Sequence, residues 1–358
     1  MRPQKIDLFS PQNDIPEIFG VQRFTLRFIA HFNKLLNQNG GLNTKYQQCQ
    51  QANGNSCADC SRKEYHKYHN YGIRLAPDYS CREKTLIYAI RSMLCHAEEI
   101  MRGLMGFCFM FTSSEHPSSV SENTKSDGGN PSLDKIKIIR AVEYLLAQEK
   151  IKVVSIGYGS GADLLGLLYF FTFFHLHHST LDILRIDKYM QHWDFSAQET
   201  ELFIRQNANI PFKFSVEKED NDQMFQNFSG QSQLFTLSYV LNELNDEEME
   251  QIAEKIKTLA ANRFWILINE RAYNEHTEAR SLHQIKKFAQ DTLHNTGCCE
   301  INHIGGRING RDSDNGGFLK NLLNSQHNEA KQYIRSVQQE YQMKIYADSV
   351  YYLGEFTR

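Results

Sequence analysis

The stretch VVSIGYGSGADLLG, residues 153–166, decides how the rest of the chain is read. A β-branched apolar run ends in glycines at 157, 159 and 161, and an apolar run then resumes. A strand that turns into a helix through glycines lets backbone N–H groups approach a ligand closely, because no Cβ stands in the way. The same glycines also suit a tight turn or close helix packing, so the flanking segments choose between the readings.

Downstream lies the most apolar window of the chain, LLGLLYFFTFFHLHHS (Leu164 to Ser179). Its unbroken part is shorter than the roughly 20 residues a membrane span needs. Following the turn directly, it predicts a helix buried against a sheet, and no membrane partner. DKIKIIRAVEYLLAQEK (Asp134 to Lys150) is an amphipathic helix pattern leading into the strand IKVVSI, Ile151 to Ile156. LDILRID (Leu181 to Asp187), FKFSVEK (Phe212 to Lys218), QLFTLSYV (Gln233 to Val240) and RFWILINE (Arg263 to Glu270) read as further strands. The helix DEEMEQIAEKIKTLAAN precedes the last of them, and CCEINHI with MKIYADSVYYLGEF predicts a final antiparallel pair. Strands alternating with helices predict an α/β fold, a mostly parallel sheet with helices on both faces.

Residues 112–132, TSSEHPSSVSENTKSDGGNPS, are polar and lack apolar periodicity, which predicts a linker. It divides a mainly helical region, 1–111, from the α/β domain, 133–358. Helices are expected in the first region at Val21 to Leu36 and Arg82 to Phe111.

In open parallel sheets, ligands bind beyond the carboxyl ends of the strands, where the strand order reverses. Asp187 closes the second predicted strand, where a carboxylate can accept hydrogen bonds from ribose hydroxyls. LFTLSYVLNEL runs from the fourth strand into a helix and places Ser238, Tyr239, Asn242 and Glu243 at the boundary. In this order the segments resemble the class I S-adenosylmethionine-dependent methyltransferases, of Rossmann-like fold. The resemblance covers roughly Asp134 to Glu270. It implies that Gly157, Gly159 and Gly161 line S-adenosylmethionine, that Asp187 holds its ribose, and that Glu219 or Asp220 meets its adenine. Ser238 and Tyr239 would lie beside the transferring methyl group. Where the family often carries an acidic residue, two positions before the first glycine, this chain has Ser155, which would reach the cofactor through water.

Methyl transfer is an in-line displacement, so holding the nucleophile in line supplies much of the acceleration. Tyr239, Asn242 and Glu243 are the candidate catalytic residues that would orient the acceptor, and Glu270 and Arg271 follow the fifth strand on the same side. Small-molecule, protein and RNA acceptors all stay open. Two other readings use the same residues. One is a catalytically degenerate methyltransferase fold that binds a macromolecule through the N-terminal region. The other is a nicotinamide-dependent oxidoreductase.

Of the eight cysteines, Cys49, Cys57, Cys60 and Cys81 cluster in the first region. A C-x-x-C pair puts two thiolates on one turn, which suits tetrahedral zinc or an edge of an iron–sulfur cluster. His66 and His69 could replace a thiolate. The opening MRPQKIDLFSPQNDIPEIF lacks the pattern of a signal peptide, so a cytoplasmic location and metal rather than disulfides are expected. Hydrophobic residues make up 41%, charged residues 23%, and the net charge is −3, which gives no overall footprint for nucleic acid. SRKEYHKYHNYGIRLAPDY (Ser61 to Tyr79) mixes aromatic and cationic groups and keeps a nucleic-acid contact open there.

Overall fold

The computed structural model describes residues 21–39, 81–106, 145, 147–173, 180–210, 212–219, 222–272, 274–309, 328–341, 343–344 and 347–358. The linker at 112–132 and most of the helix expected at Asp134 to Lys150 fall outside them. So do Cys49, Cys57, Cys60, His66, His69 and Asp220.

Seven strands form one sheet: β1 (Lys150–Ile156), β2 (Thr180–Ile186), β3 (Lys213–Lys218), β4 (Ser232–Ser238), β5 (Ala260–Arg271), β6 (Cys299–Asn309) and β7 (Asp348–Thr357). Their order is β3-β2-β1-β4-β5-β7-β6. The first five are parallel, and β7 inserts antiparallel between β5 and β6. The chain builds outward from β1 to β3 and then returns to the other side of β1 with β4. That reversal opens a crevice between the carboxyl ends of β1 and β4, and the fold is Rossmann-like. The antiparallel pair expected from the C-terminal segments is β6–β7.

The described helices before β1 are α1 (Val21–Asn39), α2 (Arg82–Tyr88), and α3 (Leu94–Leu104), the last two joined by a π-helical turn at Ala89–Met93. After β1 come α4 (Ala162–Phe173), α5 (Met190–Asn207) and α6 (Asp222–Phe228). They are followed by α7 (Asp246–Leu259), α8 (Glu275–Lys286) and α9 (Asn328–Tyr341). No described helix is long and apolar enough to cross a membrane.

Strand side chains alternate between faces, and each face meets its own core. Ile151, Val153, Leu234 and Leu267 join Phe28, Phe32, Ile100, Leu164 and Leu168 from α1, α3 and α4. Val154, Ile156, Phe235, Leu237 and Ile268 on the opposite face join Met249, Ala253 and Ile256 of α7. The N-terminal helices therefore share a core with the sheet, and α3 lies directly on α4. A Cβ at Gly166 of α4 would stand 2.7 Å from the Ala97 carbonyl oxygen, so the crossing needs glycine there.

Two helices start from capping boxes. Asn245 accepts from the Glu248 backbone N–H at 2.9 Å while the Glu248 carboxylate accepts from the Asn245 N–H at 3.0 Å. Asn274 and Thr277 exchange the same pair at α8. Each cap is worth about 1 kcal/mol. Together they set α7 and α8 so that the chain leaves the ends of β4 and β5 at defined points.

Candidate functional site: the crevice between β1 and β4

The three glycines after β1 all have positive φ, +75°, +54° and +97°, the region an L side chain rarely enters. Their surroundings differ. A Cβ on Gly157 would come within 2.1 Å of Val240 Cγ2, so this glycine lets the loop close on the end of β4. A Cβ on Gly161 would press on Thr200 Cγ2 at 3.2 Å and the Tyr158 hydroxyl at 3.3 Å. A Cβ on Gly159 would meet nothing nearer than 3.9 Å. Packing thus explains Gly157 and Gly161, whereas at Gly159 the loop leaves space uncovered. A ligand could pack against the loop there, with the Gly159 N–H itself taken by Asp187.

Asp187, just past β2, ties the loop to its neighbour strand. Its Oδ2 accepts from the Gly159 N–H at 3.0 Å and its Oδ1 from the Tyr189 N–H at 2.7 Å. Burial raises its pKa, and the two backbone donors oppose the rise. Each carboxylate oxygen keeps a second acceptor direction, so a ribose hydroxyl pair can still be received.

Ser155 is fully buried beneath the loop. Its hydroxyl donates to Asp163 Oδ2 at 2.6 Å, and Thr236, its cross-strand partner on β4, donates to the same oxygen. Burial pushes the Asp163 carboxyl up to about 6, against the pull of those hydroxyls. The carboxylate beneath this loop is therefore carried by the first turn of α4, and Ser155 serves it with no exposed atom of its own.

At the end of β4, the buried Ser238 Oγ reaches the Asp163 carboxyl as a third hydroxyl that opposes the effect of burial. Tyr239 has φ +62°, alone among the described non-glycine residues in being positive. Its hydroxyl donates to Glu99 of α3 at 2.7 Å and accepts from Lys344 Nζ at 3.0 Å. Glu99 is fully buried and also accepts from Lys344 Nζ at 2.6 Å and the Asp348 N–H at 2.7 Å. Three donors offset the desolvation of this carboxylate, and they hold Tyr239 in its left-handed conformation, which costs roughly 1–3 kcal/mol. The His96 ring stacks on Tyr239 with centroids 4.1 Å apart. His96 Nδ1 bonds the Tyr88 hydroxyl at 2.9 Å, and Tyr88 meets the Trp193 ring at 5.1 Å. Trp193 Cε2 lies 4.0 Å from the Cβ position at Gly159, so an aromatic wall runs from the open glycine to the end of β4.

Asn242 and Glu243 sit in a 3-10 turn, Leu241–Glu243. Asn242 Nδ2 donates to Glu270 Oε2 at 2.6 Å and to Ser281 Oγ at 3.0 Å, and its backbone N–H donates to Glu270 Oε1 at 3.3 Å. Glu270 is fully buried, and burial pushes its carboxyl up to about 7. Glu243 pairs with Arg271 at 3.4 Å.

The crevice thus collects Gly157, Gly159, Asp187, Ser238, Tyr239, Asn242 and Glu243 at neighbouring strand ends. Glu219, past β3, is instead joined to Lys255 of α7 at 2.5 Å. Cys81 stands at the start of α2, where its thiol donates to Glu83 Oε2 at 3.3 Å. Among the described residues no three His, Cys, Asp or Glu side chains come together as a metal site. Glu99, Lys344, His96 and Trp193 were not singled out from the sequence.

No family model matches the chain, and no curated protein does. Solved structures with a similar fold include an S-adenosylmethionine-dependent methyltransferase from Archaeoglobus fulgidus, at 11% identity and TM-score 0.31, covering 63% of this chain and 95% of that one. Another, from Methanosarcina mazei, aligns at 11% identity and TM-score 0.33, over 61% of this chain and 96% of that one. Likeness at this level carries no argument about the reaction, which has to come from the crevice itself.

Proposed function

We propose that the chain is an S-adenosylmethionine-dependent methyltransferase whose donor lies across the carboxyl ends of β1, β2 and β4. The observation that carries this reading is Gly159. It is left-handed, uncrowded by protein, and anchored through its N–H to Asp187, so an open stretch of backbone and a carboxylate stand together at the strand-order reversal. When bound, S-adenosylmethionine supplies a methyl group on a sulfonium centre.

The residues present fit such a group. Gly159 would lie against its amino-acid and ribose part, and Asp187 would receive the ribose hydroxyls. Trp193 and Tyr239 would limit the water that reaches the crevice. Ser155 contributes indirectly, by fixing Asp163 under the loop. Tyr239 and Asn242 would shape the acceptor side: Tyr239 is held by Glu99 and Lys344, and Asn242 by Glu270 and Ser281. Glu243, bound to Arg271, would contribute charge there. Because displacement at carbon needs alignment more than proton transfer, rigid walls of this kind supply what the reaction needs.

The test is binding of S-adenosylhomocysteine to wild type and to Gly159→Arg, which fills the open space while lying outside both packed glycine contacts. Wild type should bind, and the variant should fold and fail to bind. Equal binding by both would remove Gly159 from the site, and the reading with it.

A further inference from the structure

Beneath the glycine loop, one face of the sheet changes from apolar to polar. Val153 of β1 and Leu234 of β4 are fully buried in the core that also holds Leu164 and Leu168 of α4. Further along the same strands, on the same face by alternation, stand Ser155, Thr236 and Ser238. Ser155 and Thr236 are register partners. Hydroxyls at the ends of two central strands add little to packing, so their reason lies in what they meet.

They meet one carboxylate. Asp163, in the first turn of α4, is buried. Its Oδ2 accepts from Ser155 Oγ at 2.6 Å and from Thr236 Oγ1, and the Ser238 hydroxyl reaches the same carboxyl. Each hydroxyl has one hydrogen to give. Three of them donating to one group suit a carboxylate and not a carboxylic acid, whose own O–H needs an acceptor. When Asp163 takes up a proton, a hydroxyl has to turn away and the remaining bonds lose their charge assistance. Ionised Asp163 therefore ties together the end of β1, the end of β4 and the start of α4.

Those three pieces frame the loop. Residues 157–161 leave β1 and enter α4, and Gly157 closes on Val240 just past β4. A second carboxylate, Asp187, holds the loop at the Gly159 N–H. Burial raises the Asp163 pKa to about 6, the three hydroxyls oppose the rise, and the charge of Asp187 adds to it. The other ionisable groups around the loop and α4 have partners. The Tyr158 hydroxyl, its pKa raised by burial, bonds Glu201 of α5, which faces Arg185 of β2 at 3.9 Å. On α3, His96 is bonded to Tyr88, Glu98 to Arg102 and Glu99 to Lys344.

We propose that Asp163 is the positioning residue of the ligand site: its carboxylate draws Ser155, Thr236 and Ser238 onto the first turn of α4 and so holds the glycine loop in the shape that receives S-adenosylmethionine. Being buried, it acts through the loop rather than on the ligand. This inference rests on the methyltransferase reading above. As the pH falls through about 6, Asp163 takes up a proton, the hydroxyls lose their common acceptor, and ligand affinity falls with them.

The experiment is calorimetry of the full chain with S-adenosylhomocysteine between about pH 5 and pH 8, with circular dichroism following the fold. At pH 5 about one molecule in ten keeps the carboxylate ionised, so wild type should bind about tenfold more weakly than at pH 8. Asp163→Asn, of the same shape and never charged, should bind at least about tenfold more weakly than wild type at pH 8 and lack the step near pH 6. Ser155→Ala removes a donor that favours the charged form, so its step should move up by about one pH unit. Wild-type affinity that stays constant over this range would overturn the proposal. So would an unchanged step in Asp163→Asn, which would assign the proton to Asp187 or His96. If Asp163→Asn does not fold, Ser155→Ala decides, and a step that stays in place or moves down overturns the proposal. No binding at any pH by folded wild type would overturn the methyltransferase reading, and this proposal with it.

Discussion

Glu270→Gln isolates the cost of the one fully buried carboxylate at the end of β5. In the folded chain Glu270 is shielded from water and receives only the backbone and side-chain N–H groups of Asn242. Burial moves its pKa from 4.5 to about 7. The folded state therefore keeps a proton that the unfolded chain has already released. The stability linked to that proton is fully present below about pH 4.5 and is lost as the pH rises through about 7. Each pH unit in that window is worth about 1.4 kcal/mol, so Glu270 costs the fold about 3 kcal/mol at pH 8. Glutamine has no charge to desolvate, but its NH2 meets one Asn242 donor and forfeits one hydrogen bond, about 1 kcal/mol. The variant should be about 1 kcal/mol less stable than wild type near pH 4.5 and about 2 kcal/mol more stable at pH 8. Urea unfolding followed by far-UV circular dichroism at several pH values gives both curves. Every other titrating group is common to the two proteins, so their difference reports Glu270 alone. Parallel curves across the whole range would mean that Glu270 titrates alike in the folded and unfolded chain.

The glycine loop gives a paired prediction. Gly157→Ala should cost about 2–4 kcal/mol in thermal or urea unfolding, from left-handed strain and the contact 2.1 Å from Val240 Cγ2. Gly159→Ala should cost only about 1 kcal/mol yet weaken S-adenosylhomocysteine binding at least tenfold, because its Cβ enters empty space. Ser155→Asp introduces the acidic residue that the methyltransferases resembled by this loop often carry there, but puts a second carboxylate against Asp163. It should lose at least about 2 kcal/mol of stability above pH 6 and gain no affinity for S-adenosylhomocysteine, as unfolding and calorimetry would show. Tyr239→Phe removes one donor from buried Glu99 and should cost about 1–2 kcal/mol in urea unfolding.

The sheet was legible because its signals are local. β-Branched runs ended by glycine, aspartate or asparagine marked β1, β2 and β5 to within a few residues, and the apolar block after Gly161 could only be a buried helix. α5 went unmarked, and its buried stripe shows why. Trp193, Ala197, Phe203 and Ile204 alternate there with buried Ser196 and Thr200, so the apolar period is broken. Those two hydroxyl residues are buried for packing on the glycine loop, where Ser196 Oγ meets Ser160 Oγ at 3.2 Å and Thr200 faces Gly161.

Site residues followed the same division. Gly159, Asp187, Ser238 and Tyr239 come from strand ends, where order along the chain predicts position. Glu99 and Lys344 lie 140 and 105 residues from Tyr239 and meet it only through the docking of α3 and the approach to β7. Nothing in the helix pattern of Arg82 to Phe111 distinguishes the buried Glu99 from a solvated one. Ser155 shows the opposite failure. Its departure from the family pattern was visible, but its partner Asp163 becomes visible only when α4 folds back over β1.

On the proposed reading, S-adenosylmethionine binds beside Gly159 and Asp187. Isothermal titration of the full chain with S-adenosylhomocysteine tests it most directly. One site per chain, with a Kd in the micromolar range and competition by S-adenosylmethionine, is the predicted result. No measurable heat and no competition at millimolar ligand, from protein that unfolds cooperatively, would contradict it.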